Sequence, residues 1–243
     1  MTGWGAPELM AVALARLVRD GETVFVGVNS PLPLVAVTLA RHLHAPNATL
    51  VTIAGGVNAH PARLGPATTA AALAEGSASI FDNADFYDLV ARGGVDLAFL
   101  GAAQVDATGH VNTSFVGTRE RPTVRFPGGG GAAFILPLAG RTVVWRAAHS
   151  PRVFVERVDF VTAAGRLDRV VTPLCVFRLA HGRLEVESVH STSTRDEVTR
   201  RTGFAVDVSS TPSTPLPTAA ELAALAEVDP DGVRSVEFSS RRA

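Results

Sequence analysis

The chain has 243 residues, of which 47% are hydrophobic and 19% charged, a composition that excludes a disordered protein and allows a large buried sheet. Its net charge is −1, so no basic surface for nucleic acid or an anionic membrane is expected. All 22 basic residues are arginine, which excludes a Schiff-base lysine and the lysine of a phosphate-binding loop.

No stretch reaches the ~20 apolar residues of a membrane span, and residues 1–19 lack the pattern of a signal peptide. We therefore expect a cytoplasmic protein. The single cysteine, Cys175, lies in an apolar run and is predicted to be a buried core residue. The sequence contains no CxxC pair and no HExxH motif, so no metal site is expected.

Strand-forming and helix-forming stretches alternate through the first part of the chain. In chain order the pattern predicts a helix over 7–21, a strand over 23–28, a helix over 31–44, a strand over 49–53, a helix over 83–90 and a strand over 95–100. Strand, helix and strand in succession are typical of a parallel α/β sheet. Loops at the carboxyl ends of such strands are where ligands bind.

The second part of the chain is expected to add strands and to end in a tail. The pattern predicts strands over 142–145, 154–161, 169–178 and 183–189, a short helix over 194–201 and a last helix over 218–227. Thr218 and Glu221 form a capping box at the start of that last helix. We expect one domain over residues 1–243, with 210–243 as a C-terminal tail and helix packed on it.

Four consecutive glycines, Gly128, Gly129, Gly130 and Gly131, follow a short apolar strand that ends at Phe126. Without a Cβ, glycine reaches positive φ and lets backbone N–H groups approach a ligand closely. Several N–H groups at a strand-to-helix turn suit an oxyanion, a phosphate or a thioester carbonyl. The alternative is a flexible surface loop, but linkers are rarely placed between two apolar strands.

Two further loops carry polar side chains where predicted strands end. The loop over 54–60 contains Gly56, Asn58 and His60, and we expect a ligand contact there; a solvated loop histidine is the alternative for His60. Gln104 and Asn112 follow the strand over 95–100 and are candidates for the same ligand face. Ordinary turn formation is the alternative for this second group.

Five stretches of the chain match one protein family in their order and spacing. They are LGAAQVDATGHVNTSFVG at 100–117, FPGGGGA at 126–132, FVERVDFVTAAG at 154–165, VVTPLCVF at 170–177 and TGFAVDV at 202–208. Together they make the chain resemble the β chain of family I coenzyme A transferases over nearly its full length. The resemblance implies an open three-layer α/β/α fold with a mostly parallel sheet, similar to that of sugar-phosphate isomerases.

The same resemblance implies a homologous α chain, in an αβ or α₂β₂ heteromer, because both chains are needed to build one acyl-CoA site. Coenzyme A enters as part of the substrate, and no separate cofactor is expected. We expect the four glycines of the FPGGGGA stretch to bind the acyl-CoA as an oxyanion site, and Phe126 beside them is a candidate for the substrate pocket. His149 is a further candidate for the substrate pocket, because it matches the histidine that family members carry after the fifth strand, although Ser150 follows it where an acid often stands.

One position departs from the family pattern. Members that transfer CoA carry a glutamate in a Glu-x-Gly turn, and this glutamate attacks the acyl-CoA. The aligned turn here is Ala54-Gly55-Gly56, so Ala54 replaces the glutamate. A methyl group is no nucleophile, and a covalent glutamyl-CoA has no acceptor in this loop. We therefore expect no catalytic residue on this chain.

A chain that keeps the glycine loop but lacks the glutamate fits one branch of the family. The chain is similar to the β chain of the hydrolase that opens the last ring of a cyclic β-keto acyl-CoA in cholesterol catabolism. In that branch a glutamate of the α chain is the general base, and water carries out a retro-Claisen cleavage. The alternatives are the β subunit of an acyl-CoA:carboxylate CoA-transferase and a non-catalytic subunit that binds a metabolite.

Overall fold

The computed structural model describes residues 3–239. Cα packing divides the chain into two compact units, one made of the residues up to Gly101 together with those from Pro215 onward, the other of Ala102–Thr214. The first segment contains, in chain order, α1 (Ala6–Ala15), β1 (Thr23–Val26), α2 (Pro31–Leu43), β2 (Thr49–Thr52), β3 (Gly56–Val57), β4 (Ser79–Ile80), α3 (Asn83–Ala91) and β5 (Leu97–Gly101).

Strand β1 is the centre of the first unit. It runs parallel to β2, with Thr23 opposite Thr49, and parallel to β5, with Val24 opposite Leu97. The short strands β3 and β4 add antiparallel partners beyond β2. The apolar side chains of β1 are buried, as expected for a parallel strand covered on both faces.

The second unit contains most of the short strands. In chain order its elements are β6 (Gln104–Asp106), β7 (Val111–Asn112), β8 (Phe115–Gly117), β9 (Pro122–Arg125), α4 (Ala132–Leu138), β10 (Arg141–Trp145), β11 (Phe154–Val155), β12 (Leu167–Val171), β13 (Cys175–Ala180), β14 (Arg183–Val189) and α5 (Arg195–Arg201).

Strands β10, β12, β13 and β14 lie side by side in this unit. The β10–β12 pair is parallel, and β13 and β14 follow as antiparallel neighbours. Strand β6 pairs with β11 in parallel and with β7 in antiparallel orientation. Strands β8 and β9 form a separate hairpin, and this hairpin leads directly into the four glycines.

The residues from Pro215 onward return to the first unit as α6 (Ala219–Val228) and α7 (Val236–Ser239). The Thr218 hydroxyl accepts the N–H of Glu221, so the predicted capping box is confirmed. The guanidinium of Arg16, which follows α1, donates to both carboxylate oxygens of Glu221 at 2.7 Å. This bidentate ion pair fixes α6 against the start of the chain.

The predicted α/β fold with a mostly parallel sheet is confirmed. The single-domain organisation stays a prediction, and residues 240–243 of the predicted tail lie outside the described residues. Within residues 3–239, no helix is long and apolar enough to cross a bilayer.

Two predicted strands were wrong in extent. The stretch 169–178 is not one strand, because Pro173 cannot donate to a ladder and the Thr172 hydroxyl accepts the N–H groups of Leu174 and Cys175. These bonds make a turn, so β12 and β13 run antiparallel. The predicted strand 154–161 shrinks to β11, Phe154–Val155.

Candidate functional site

The glycine loop, Gly128–Gly131, connects the β8–β9 hairpin to α4. Gly128 has φ +103° and Gly130 has φ +46°, two backbone conformations that residues with a Cβ rarely adopt. The loop ends where Gly131 caps α4, and the carbonyl of Gly131 accepts the N–H groups of Phe134 and Ile135. The path of the backbone therefore favours glycine at positions 128 and 130, whereas Gly131 has the ordinary helical φ of −73°.

The hydrogen bonds of the loop show which N–H groups remain for a ligand. The N–H of Gly128 donates to the Thr113 carbonyl at 2.8 Å, so this donor is already used. For the N–H groups of Gly129, Gly130 and Gly131 the described part of the chain provides no acceptor. The predicted oxyanion site thus has three backbone donors available instead of four.

A buried amide pair lies in the β6–β7 hairpin that precedes the β8–β9 hairpin. The side-chain amide of Asn112, which is fully buried, donates to Gln104 Oε1 at 3.0 Å and to the Phe115 carbonyl at 2.7 Å. Gln104 in turn donates to the Arg152 carbonyl at 3.1 Å. The structure brings these two predicted site residues together, but as a satisfied internal network.

A cluster of hydroxyl groups links this network to the glycine loop. The Thr162 hydroxyl oxygen accepts the Thr113 N–H at 3.0 Å and lies 2.7 Å from the Ser114 hydroxyl. It also lies 3.4 Å from Asn112 Oδ1. The Thr162 methyl group faces Gly129, because a Cβ placed on that glycine would lie 3.2 Å from Thr162 Cγ2.

The loop after β2 carries Ala54 in the first unit. The N–H of Gly55 closes a turn back to the Thr52 carbonyl at 3.0 Å, and Gly55 has φ +91°. A Cβ on Gly56 would overlap the Leu73 carbonyl oxygen and come within 2.6 Å of Ser77 Oγ. Glycine at position 56 is therefore imposed by close packing, and Ala54 presents a half-buried methyl group at the turn.

Asn58 and His60 lie further along this loop. Asn58 has φ +52°, and its Oδ1 accepts the Leu50 N–H at 2.8 Å, so its side chain is occupied in closing the loop onto β2. His60 is exposed and donates its backbone N–H to the Glu75 carbonyl at 2.9 Å. Of the two, His60 has the exposed side chain, so its contact with a ligand and the alternative of a solvated loop histidine both stay predictions.

His149 lies in the core of the second unit, only 2% exposed. Its Nδ1 and Nε2 atoms each lie 2.9 Å from a threonine hydroxyl, those of Thr172 and Thr202. The ring packs against Phe154, with centroids 4.4 Å apart and ring planes tilted by 35°. Burial, together with the charge of Arg201 and the neighbouring His190, lowers the pKa of His149 to about 3, so the ring is neutral at physiological pH. Its predicted contact with substrate stays a prediction, and the enclosed ring argues against it.

The other potential nucleophile is also enclosed. Cys175 is fully buried, which confirms its predicted place in the core. Burial raises the pKa of its thiol to about 12, whereas a hydrogen bond with Thr172 acts in the opposite direction. The thiolate is the reactive form, so Cys175 is inert near neutral pH. Among residues 3–239, no group of three or more His, Cys, Asp and Glu side chains could hold a metal ion.

The hydroxyl cluster under the glycine loop was not predicted from the sequence. Thr162 lies 49 residues along the chain from Thr113, and nothing local marks either residue as part of a site. The available signals were the motif at 100–117, which contains Thr113, and the motif at 154–165, which contains Thr162, but neither motif gave a role for single positions.

Comparison with known proteins shows the family to which the chain belongs. The family model described as coenzyme A transferase matches residues 8–201. A 3-oxoadipate CoA-transferase subunit of Pseudomonas knackmussii is 33% identical over 93% of each chain. The cholesterol ring-cleaving hydrolase IpdB subunit of Mycobacterium tuberculosis is 30% identical, over 96% of this chain and 98% of that subunit. The crystal structure of the decarboxylase AibA/AibB matches with a TM-score of 0.90 and 33% identity, covering 95% of this chain and 97% of that one.

These relatives are named as subunits of larger enzymes or as a two-component enzyme, which supports a partner subunit for this chain. The predicted resemblance to β chains is confirmed by matches that run over nearly the whole length. The chain belongs to the coenzyme A transferase family and is similar to the β subunits of its heteromeric enzymes.

Proposed function

We propose that this chain is the β subunit of a heteromeric hydrolase that opens the last steroid ring of a cyclic β-keto acyl-CoA in cholesterol catabolism. The observation that carries the proposal is Ala54, which stands where the transferases of the family carry their glutamate nucleophile. Without that carboxylate, the chain offers no acceptor for CoA in the turn after β2.

The remaining side chains support a role in binding over one in bond formation. His149 is neutral and enclosed, Cys175 keeps its proton, and the chain has no lysine. The general base is therefore assigned to the α chain, where a carboxylate would activate water. The assembly is a heteromer of this chain with a homologous α chain, and we place it in the cytoplasm.

The reaction needs an oxyanion site more than it needs a nucleophile on this chain. Hydroxide adds to the ring ketone, and the bond between that carbon and the thioester α-carbon then breaks. The bonding electrons pass to the thioester as an enolate, the ketone carbon becomes a carboxylate, and a proton returns to the α-carbon. The N–H groups of Gly129, Gly130 and Gly131 are available to stabilise the enolate oxygen. No cofactor is required beyond the CoA of the substrate.

The relatives support this proposal in two ways. One of them is named a cholesterol ring-cleaving hydrolase subunit and matches over nearly the full length. Another is named a decarboxylase, so the family includes an enzyme that breaks carbon–carbon bonds. Both are consistent with a site that stabilises an enolate without transferring CoA.

A CoA-transferase β subunit is the second candidate, and one observation favours it. The relative named as a 3-oxoadipate CoA-transferase subunit is 33% identical, slightly above the 30% of the hydrolase subunit. A transferase would need a nucleophile outside the Ala54 turn. A non-catalytic subunit that binds a metabolite is the remaining alternative, and a tight acyl-CoA complex without turnover would indicate it.

Product analysis separates these functions. The chain is co-expressed with its α partner and supplied with 2-oxocyclohexane-1-carbonyl-CoA, a small cyclic β-keto acyl-CoA, with acetate as a possible CoA acceptor. Formation of heptanedioyl-CoA, the ring-opened product that retains CoA, is expected. Acetyl-CoA would identify a transferase, and free CoA without ring opening would identify a thioesterase.

A further inference from the structure

The glycine loop contacts the rest of the second unit at two positions described above. The N–H of Gly128 is bonded to the Thr113 carbonyl, and the backbone of Gly129 faces the methyl group of Thr162. Thr113 is itself bonded through its N–H to the Thr162 hydroxyl oxygen at 3.0 Å. Both contacts of the loop therefore lead to one side chain, that of Thr162.

We propose that Thr162 is a positioning residue, which sets the orientation of the free N–H groups of Gly129, Gly130 and Gly131. Its hydroxyl fixes Thr113, and the Thr113 carbonyl then fixes Gly128 at the start of the loop. Its methyl group limits how far Gly129 can move toward the hairpin. The effect of Thr162 on catalysis rests on the proposed oxyanion function of the loop. Its effect on the position of the loop does not depend on that function.

The hydroxyl of Thr162 is held in turn by buried groups. It lies 2.7 Å from Ser114 Oγ and 3.4 Å from Asn112 Oδ1, and Asn112 is fully buried. The backbone N–H of Thr162 donates to the Val111 carbonyl at 2.9 Å. A side chain fixed at both its backbone and its hydroxyl transmits position accurately, since a donor must lie within a few tenths of an ångström of the developing charge to act.

A glycine-rich loop needs support from neighbouring residues, because glycine restricts the backbone conformation less than any other residue. Gly128 and Gly130 both have positive φ and lack side chains that could anchor them. A loop free to fluctuate would seldom hold its three N–H groups in the orientation that the oxyanion requires. A misplacement of such a group by about 1 Å costs on the order of 10²-fold in rate.

Two substitutions separate the two contacts of Thr162. Thr162→Val keeps the branched shape and the methyl group against Gly129 but removes the hydroxyl. Thr162→Ser keeps the hydroxyl and removes the methyl group. Thr123→Val is the matched control, because it removes a threonine hydroxyl that makes one backbone hydrogen bond in the β8–β9 hairpin, by donating to the Val116 carbonyl at 3.1 Å.

The heteromer carrying each variant is measured by amide hydrogen exchange over residues 126–134 and by steady-state kinetics with 2-oxocyclohexane-1-carbonyl-CoA. Thr162→Val is expected to raise loop exchange about 5-fold, the effect of losing one hydrogen bond. Its kcat is expected to fall about 10-fold or more while KM changes less than about 3-fold. Thr162→Ser should keep kcat within about 3-fold, and Thr123→Val should resemble the wild type in both readouts.

Unchanged loop exchange in Thr162→Val would overturn the proposal. So would equal losses of kcat in the valine and serine variants accompanied by a raised KM, since that result describes a general packing role. If the wild-type heteromer does not open the ring of the probe, the proposed function fails, and the exchange measurement still decides whether Thr162 positions the loop.

Discussion

Two buried histidines make the stability of this protein depend on pH between about 7.5 and 5. His149 and His190 are both nearly inaccessible, and burial lowers the pKa of His149 to about 3 and that of His190 to about 4. In the unfolded chain both rings return to a pKa of ~6.5. The unfolded state therefore binds more protons in this range, so stability falls as the pH is lowered.

The size of the loss follows from the two pKa values. Each pH unit below ~6.5 lowers the free energy of unfolding by ~1.4 kcal/mol per histidine, which gives ~2 kcal/mol per ring at pH 5. The two histidines together account for ~4 kcal/mol, a large part of the roughly 5–15 kcal/mol that is typical of a folded protein. The carboxylate of Glu221, which is only partly buried, acts at lower pH. Burial raises its pKa, but hydrogen bonds from Arg16 and Thr218 lower it to about 2, so the stability that it contributes is lost as the pH falls below ~4.5.

Urea unfolding at pH 7.5 and pH 5 measures this dependence, with His149→Phe as the test variant. A phenyl ring keeps the ring contact with Phe154. The hydroxyls of Thr202 and Thr172 keep other acceptors, the Val198 carbonyl at 2.7 Å and the Cys175 carbonyl at 3.0 Å respectively. The variant is expected to lose about half of the pH dependence of the wild type, ~2 kcal/mol. A variant as sensitive to pH as the wild type would show that His149 does not stay neutral in the folded state.

Three further predictions concern the loops and the partner. The purified chain alone is expected to show no turnover of the cyclic β-keto acyl-CoA, and activity should appear when the α chain is added; turnover by the single chain would contradict this. Gly129→Val should lower kcat ~10²–10³-fold, the loss typical of an oxyanion donor, because its Cβ would lie only 3.2 Å from Thr162 Cγ2 and displace the loop. Gel filtration should still show an assembled heteromer. An unchanged kcat would reduce the loop to a connector. Gly56→Ala should lower the melting temperature by several degrees, because its Cβ overlaps the Leu73 carbonyl oxygen. Gly65→Ala is the control, since a Cβ there meets open space. Equal melting temperatures of the two variants would disprove the close packing at Gly56.

Most helices and strands could be predicted from the sequence, because local sequence patterns specify them. Continuous apolar runs marked β1 and β5 as buried parallel strands, and Thr218 with Glu221 marked the start of α6. The stretch 169–178 was misjudged because its apolar pattern continues through the turn. The turn that separates the two strands depends on the hydroxyl of Thr172 and on Pro173, together with a backbone bond from the Thr172 N–H to the Cys175 carbonyl.

The candidate site was accessible only in part, for a different reason. The glycine run shows where N–H groups can converge, but its sequence does not show that Gly128 has already given its N–H to Thr113. Likewise, Gln104 and His149 are polar residues whose partners Arg152 and Thr202 come from distant parts of the chain, and Asn112 is held by Gln104 within its own hairpin. Whether a polar side chain faces a ligand or a buried partner depends on tertiary contacts, which no local pattern records.

Isotope-labelled water distinguishes attack by water from attack by the protein, the difference on which the hydrolase proposal depends. The heteromer is supplied with 2-oxocyclohexane-1-carbonyl-CoA in ¹⁸O-water, and the product and the intact β chain are both analysed by mass spectrometry. Ring opening by water predicts ¹⁸O in the free carboxylate of heptanedioyl-CoA, with CoA still attached and an unmodified β chain. A CoA thioester on the β chain, removed by hydroxylamine, would contradict the proposal and identify a transferase.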